Sequence, residues 1–269
     1  MNSSDSTFRG ERLENRDKAA RLSVVPEPPS QALLRDAGHR PYPVPDGAWL
    51  GRQSWYDLLL AHWPVPAEAL RARIPASLEL DTYDGVAWVT IVPFRMLNVR
   101  LRGVPRACGL AFPELNVRTY VRQGNRAGVF FFSLDATSPV VILIGRRLFG
   151  LPYFRARSSM EGGGGQFRFE SDRADGTTSF SVTFEAGAPL QAPPGSLDAW
   201  LTERYCFYAQ QADGRVVRCD IHHRPWPLQQ AFARISRNEM LPGLDLRSPP
   251  AKLHYSSGVD VLFWGAHPA

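Results

Sequence analysis

Lysine is nearly missing from this chain. Of its 31 basic residues only Lys18 and Lys252 are lysines, so chemistry in the long stretch between them cannot run through a lysine imine. Cysteine is almost as scarce. Cys108, Cys206 and Cys219 are an odd number with no CxxC spacing, which excludes a disulfide framework or a zinc ribbon and fits a reduced, cytoplasmic setting. Long apolar runs are absent too: the longest, Val140 to Ile144, falls far short of the roughly 20 residues a membrane helix needs. No apolar segment near the N-terminus resembles a signal peptide. Gly162-Gly163-Gly164-Gly165 lacks the Lys-Ser/Thr of a phosphate loop and reads as a flexible hairpin loop. Ser158-Ser159 has no G-x-S-x-G setting, so a serine hydrolase has no support.

What is present is arginine, proline, aromatics and β-branched residues in short runs. The net charge of +5 invites a nucleic-acid reading. The arginines, however, scatter singly among carboxylates and form no stripe interleaved with aromatics. The expected partner is a small-molecule ligand or substrate, with no nucleic acid, membrane or cofactor; a homo-oligomer is left open. Residues 1–46 are rich in Ser, Arg, Glu and Asp, with Pro26-Glu27-Pro28-Pro29 and Pro41, Pro43 and Pro45. They read as a flexible extension, and residues 47–269 as one domain without internal repeats.

Within that domain the pattern is mostly strand. Trp55 to Trp63 reads as a buried strand and Pro66 to Arg73 as a short helix, and Asp84-Gly85 turns the chain into a strand over Val86 to Phe94. Asp175-Gly176 and Asp213-Gly214 are further hairpin turns. Ser138-Pro139 opens a helix over Val140 to Phe149, and Ser196 opens another over Leu197 to Tyr205. Strands with segregated helices predict an α+β fold, mostly antiparallel β, as a curled sheet or barrel.

The segment from Glu114 to Val121 carries the candidate chemistry. Period two puts Glu114, Asn116, Arg118 and Tyr120 on one face and Leu115, Val117, Thr119 and Val121 on the other. The polar face either meets water on a half-exposed strand or looks into a cleft. In a cleft, Arg118 would anchor an anion, and Glu114 would act as a general acid or base. Burial would raise the glutamate's pKa and the arginine would lower it, so the sign stays open. Phe130, Phe131 and Phe132 read as core, while Asp135 caps a turn or joins the site. His222 and His223 point to opposite faces if they lie on a strand, which makes them poor partners for one metal ion.

Several strings together resemble a known family. His62-Trp63-Pro64-Val65-Pro66, Phe112 to Tyr120, Phe131 to Ala136, Gly150-Leu151-Pro152-Tyr153, Asp220 to His223 with Pro225 to Leu228, and His254-Tyr255-Ser256 with Val259 to Phe263 are similar to the YqjF-like proteins of unknown function. That family stands near acetoacetate decarboxylase in fold. Gly145-Arg146-Arg147-Leu148 followed by Pro152 resembles a decarboxylase segment after which that enzyme has two adjacent lysines; here Tyr153 and Phe154 occupy the matching positions. Glu114 lies where the decarboxylase has a pocket glutamate. The resemblance implies a cone-like antiparallel barrel with flanking helices and an interior cavity, but not imine chemistry. The expected site has Glu114 and Tyr153 as catalytic residues and Arg118, Asn116, Tyr120 and Arg146 as substrate-binding ones. It would perform general acid/base work on a carbonyl or carboxylate compound. The alternative is a non-catalytic binding protein whose cavity, lined by Phe131 and Trp88, holds a small apolar or anionic ligand anchored by Arg118.

Overall fold

The computed structural model describes residues 27–269. Asp84 and Gly85 both adopt positive φ, 48° and 78°, the geometry that a type I′ turn requires, and Tyr83 bridges Val86 across it. In chain order the elements are helix α1 (Ser30–Arg35), strand β1 (Gly51–Val65), helix α2 (Ala67–Arg71), β2 (Glu79–Leu80), β3 (Ala87–Leu101), β4 (Leu110–Gln123), β5 (Arg126–Ala136), helix α3 (Pro139–Phe149), β6 (Tyr153–Gly163), β7 (Gln166–Arg173), β8 (Ser179–Pro189), helix α4 (Leu197–Thr202), β9 (Cys206–Gln210), β10 (Val216–His222), β11 (Leu228–Asn238), β12 (Lys252–Phe263) and β13 (His267–Pro268). The turns expected at Asp175-Gly176 and Asp213-Gly214 lie between β7 and β8 and between β9 and β10. Gly164 and Gly165, also at positive φ, turn β6 into β7, whose last paired residues are Gly163 and Gln166.

All the strands belong to one mostly antiparallel sheet that returns on itself. From β5 it runs through β6, β7, β8, β11, β12, β1, β3 and β4, and β4 pairs with β5 again. Two strands fork. One edge of β5 takes β9 at Val129–Phe130 and β6 at Leu134–Ala136, both in parallel. The matching edge of β12 takes β11 near Tyr255 and β10 near Leu262. The short β9–β10 pair therefore bridges the two forks and closes a second compartment on the other face of the wall β12-β1-β3-β4-β5, opposite the one closed by β6, β7, β8 and β11.

Period-two alternation on that wall feeds both compartments. On β1, Leu59, Ala61 and Trp63 enter one core with Phe169, Phe180 and Val182, while Leu58 and Leu60 enter the other with Phe94, Leu134, Tyr153 and Trp226. On β4, Leu115 and Val117 face the first core. Both faces of these strands are buried, so the water-facing alternative for the 114–121 polar face is overturned.

Helix α3 forms as its sequence predicts. The Ser138 hydroxyl accepts from the Val141 N–H, Pro139 stands at the first position, and Gly150 closes the helix in the left-handed conformation. It is the crossover that the parallel β5–β6 pair demands. Helix α4 ends at Thr202, three residues before the expected Tyr205, because the chain must reach β9 at Cys206.

The expected extension needs correction over residues 27–46. Pro29 caps α1, whose Leu33 is buried against Leu262 and Trp264. Arg40 donates to the Ile221 carbonyl at 2.7 Å, His222 Nε2 meets the Leu33 carbonyl at 2.8 Å, and Glu27 pairs with Arg100. The prolines here begin a helix and shape a packed strap rather than loosening the chain. The rest of the expected extension, residues 1–26 with Lys18, lies outside the described residues.

Candidate functional site

The even-numbered face of β4 places Glu114, Asn116 and Arg118 in the wall of a cavity of about 460 Å3. At ~3.3 Å per residue, Glu114 and Arg118 are separated by ~13 Å of strand. Leu58 and Leu60 of β1, Val92, Phe94 and Met96 of β3, and Phe131 of β5 supply apolar walls. Tyr120 starts on the same face but leaves the cavity. Pairing with β5 slips by one residue after Val117, which faces Ser133 while Arg118 faces Phe131. The Tyr120 hydroxyl instead lies 2.6 Å from Thr90 Oγ1 and donates to the Leu201 carbonyl at 2.8 Å. Trp88 packs with Tyr120 and Leu201 and, against expectation, is not a cavity wall.

Tyr153, the first residue of β6, brings its hydroxyl into the cavity and donates to Glu114 Oε2 at 3.0 Å. Both side chains are buried. Burial pushes the Glu114 carboxyl up to about 8; the Tyr153 hydrogen bond opposes this and the nearby Asp135 charge adds to it. Glu114 is therefore mostly a neutral acid at pH 7. Burial and the glutamate together push the Tyr153 phenol well above its ordinary value. Asp135 is ion-paired with Arg173 at 2.8 Å and caps no helix.

Two features position Tyr153. Gly145 of α3 leaves room for its ring, since a Cβ there would lie 2.5 Å from ring carbons. Arg146, expected to bind substrate, donates through Nε to the Tyr153 carbonyl at 2.7 Å and does not line the cavity. Its place on the helix, behind the β6 backbone, makes it a clamp on that strand.

Arg118 is 8 % exposed, and its Nε and Nη2 have no hydrogen-bond acceptor among the described residues. Burial lowers its pKa and the neighbouring Tyr120 raises it; a guanidinium stays charged throughout. Arg204 lies at the same end of the cavity. Its Nη1 pairs with Asp81 at 2.8 Å and its Nε donates to the Trp200 carbonyl, but its Nη2 is unpartnered among the described residues. The Asn116 Oδ1, His223 Nε2 and Trp55 Nε1 atoms are likewise unpartnered. A buried cation without a counter-charge is costly unless something anionic completes it. Arg204 and His223 were not expected in the site, because no spacing links them to β4 and the adjacent histidines were weighed only as metal ligands.

His222 and His223 do diverge. His222 meets Arg40 and Leu33, while His223 stacks on Tyr205 with ring centroids 4.8 Å apart and lines the cavity. Burial lowers the His223 pKa to about 3, and its Nδ1 lies 2.7 Å from the Arg224 carbonyl. Neutral imidazole with Nδ1–H donating there leaves Nε2 as an acceptor. Among the described residues no group of three or more His, Cys, Asp or Glu side chains could hold a metal ion.

Outside the cavity, a buried polar chain runs from Tyr120 to Thr90, from Thr90 to His62 Nδ1 at 2.8 Å, from His62 Nε2 to His254 Nδ1 at 3.0 Å, and from His254 Nε2 to Asp198 at 2.7 Å. Burial lowers the pKa of both histidines. Lys252 ends the chain in an ion pair with Asp198 at 2.5 Å, one-third exposed and away from the cavity.

Comparison with known proteins places this architecture among relatives. The family model described as an uncharacterised conserved protein, DUF2071, matches residues 52–260. The uncharacterised protein YqjF of Bacillus subtilis (strain 168) is 45% identical over 226 residues, covering 82% of this chain and 93% of that protein. Two solved structures share the fold at low identity. The enduracididine biosynthesis enzyme MppR complexed with pyruvate has a TM-score of 0.58 at 12% identity, covering 83% of this chain and 91% of that one. Acetoacetate decarboxylase from Legionella pneumophila has a TM-score of 0.57 at 12% identity, covering 91% and 98%. With the family model matching most of the chain and the Bacillus protein nearly half identical across it, this protein belongs to the DUF2071, YqjF-like family and carries an acetoacetate decarboxylase-like fold.

Proposed function

We propose that this protein is a small-molecule enzyme using Glu114 as a general acid and base on a carbonyl or carboxylate compound, without a lysine imine. The observation that carries the reading is the Tyr153–Glu114 hydrogen bond, 3.0 Å long and inside a cavity that also contains the Arg118 guanidinium, whose Nε and Nη2 are unpartnered among the described residues. With its pKa near 8, Glu114 is matched to proton transfer in either direction around neutral pH. Tyr153 donates to one carboxyl oxygen and leaves the other to face substrate. Arg118 holds the anionic part of the substrate. Positions 153 and 154 being Tyr and Phe, and Lys252 lying outside the cavity, support a route without an imine. The neighbour complexed with pyruvate makes oxo acids a reasonable first set of substrates, and the ~13 Å of strand between Arg118 and Glu114 selects those whose ketone lies far from the carboxylate.

The test is exchange in D2O of the protons beside the ketone of straight-chain oxo acids whose ketone is well removed from the carboxylate, followed by proton NMR, with borohydride added in parallel. Wild type should accelerate exchange and yield no covalent adduct; Glu114→Gln should lower exchange at least 100-fold while still binding the acid. Borohydride trapping of a lysine adduct would overturn the reading. The predominantly apolar wall favours a second reading, a carrier that binds without turnover. Saturable binding with no exchange by wild type would select it.

A further inference from the structure

The cavity is graded along its length. Strand β4 runs from Leu110, exposed at the mouth, through Phe112 and Glu114 to Arg118, which is buried at the far end, all on one face. The four residue steps from Leu110 to Glu114 correspond to ~13 Å of strand. Over that distance the surroundings are apolar: Met96, Val99, Ile144 and Phe149 line the same space. At the mouth Leu101, Val104, Val140 and Ile144 are exposed although large and apolar. The segments that form the mouth, residues 99–112 and 138–151, contain five arginines and no Asp or Glu. Far inside, Arg118 and Arg204 each keep unpartnered nitrogens while more than nine-tenths buried.

A small hydrophilic acid would complete the two arginines and leave the apolar arm empty. A neutral lipid would fill the arm and leave Arg118 uncompensated, Arg204 having Asp81. We propose that the ligand is an amphiphilic monocarboxylate, its carboxylate held by Arg118 and Arg204, its middle beside Glu114 and Tyr153, and an unbranched apolar tail running along β4 to the mouth. From Arg118 to Leu110 the strand covers ~26 Å, so a chain held at the arginines needs on the order of twenty carbons to reach the mouth. The exposed apolar residues at the rim receive the tail end. This deepens the proposed function by naming the substrate class of the same cavity, and it rests on that cavity being the ligand site.

The experiment is a binding series with straight-chain saturated carboxylates from butanoate to octadecanoate, with 1-octanol as the uncharged control, read by fluorescence of Trp55 and Trp226 in the cavity wall. Affinity should tighten about fourfold per added methylene, the equivalent of ~0.8 kcal/mol each. Octanol should bind at least tenfold more weakly than octanoate. Arg118→Met should weaken octanoate at least tenfold and leave octanol unchanged. Ile144→Glu, a substitution at an exposed position that leaves the core intact, should weaken octadecanoate and spare octanoate. Affinity independent of chain length, octanol binding as tightly as octanoate, or octadecanoate indifferent to Ile144→Glu would each overturn the proposal. The series separates the two claims: a flat chain-length profile alongside Glu114-dependent exchange sinks the amphiphile and leaves the acid/base reading standing, and the reverse pattern does the opposite.

Discussion

Glu114 offers a measurement in which catalysis plays no part. In the unfolded chain its carboxyl titrates near 4.5, and in the folded protein near 8. Below pH 4.5 it is protonated in both states and contributes no pH dependence. Between pH 4.5 and about 8 the folded state holds a proton that the unfolded state has lost, so stability falls as pH rises; above 8 the full penalty of a buried carboxylate is present. The gap between the two values corresponds to about 5 kcal/mol, at 1.36 kcal/mol per pH unit. Glu114→Gln keeps the shape and an oxygen to accept from Tyr153 but has no proton to lose. Urea denaturation of both proteins at pH 5, 6, 7, 8 and 9 should therefore show the variant gaining on wild type by about 1 kcal/mol per pH unit through the window, to a plateau of several kcal/mol. Asp135, pushed up to about 6 by burial, acts in the same direction in both proteins and cancels in the difference. A stability difference that stays constant from pH 5 to 9, or that moves in favour of wild type as pH rises, refutes the assignment of Glu114 as a buried neutral acid.

Gly145→Ala should insert a methyl into the Tyr153 ring, costing about 1–3 kcal/mol on overpacking grounds. It should also cut proton exchange by pulling the phenol off Glu114, whereas the same substitution combined with Tyr153→Phe should lose no further exchange. His223 should stay neutral with its proton on Nδ1 down to about pH 3, so its ring 15N shifts should remain constant between pH 7 and pH 4. Protonation within that range would show that the imidazole is wetter than its packing indicates.

Alternation made β4 readable in advance, and with it the row Glu114, Asn116 and Arg118. The resemblance placed Tyr153 opposite them, and the 3.0 Å contact to Glu114 brings the two together. Tyr120 escaped because period two assumes a regular ladder, and the slip after Val117 breaks it. Arg146 escaped because a helix residue beside a candidate site can serve backbone as well as substrate, and only the position of the Tyr153 carbonyl decides between them. Arg204 and His223 reach the cavity from α4's end and the β10 exit, a juxtaposition produced by long-range pairing with no local signature. The strap over residues 27–46 was misread because its prolines mark loops on composition alone, while the contacts that order it come from Leu262, Ile221 and Arg100 far along the chain.

The shared wall has a consequence for how such a protein can change. Leu58, Leu60, Val92, Glu114, Asn116 and Arg118 line the cavity, and each has a neighbour one position away that packs in the other core, so a shift of backbone there to suit a new ligand would open voids on the far side. The deep half of the cavity is consequently held to a nearly fixed outline. Among the described residues, helix α3 and the segment joining β3 to β4 have no second core behind them. Variation in ligand preference among relatives should therefore accumulate at those two segments, with tail length and rim chemistry drifting while the Glu114 and Arg118 end stays the same.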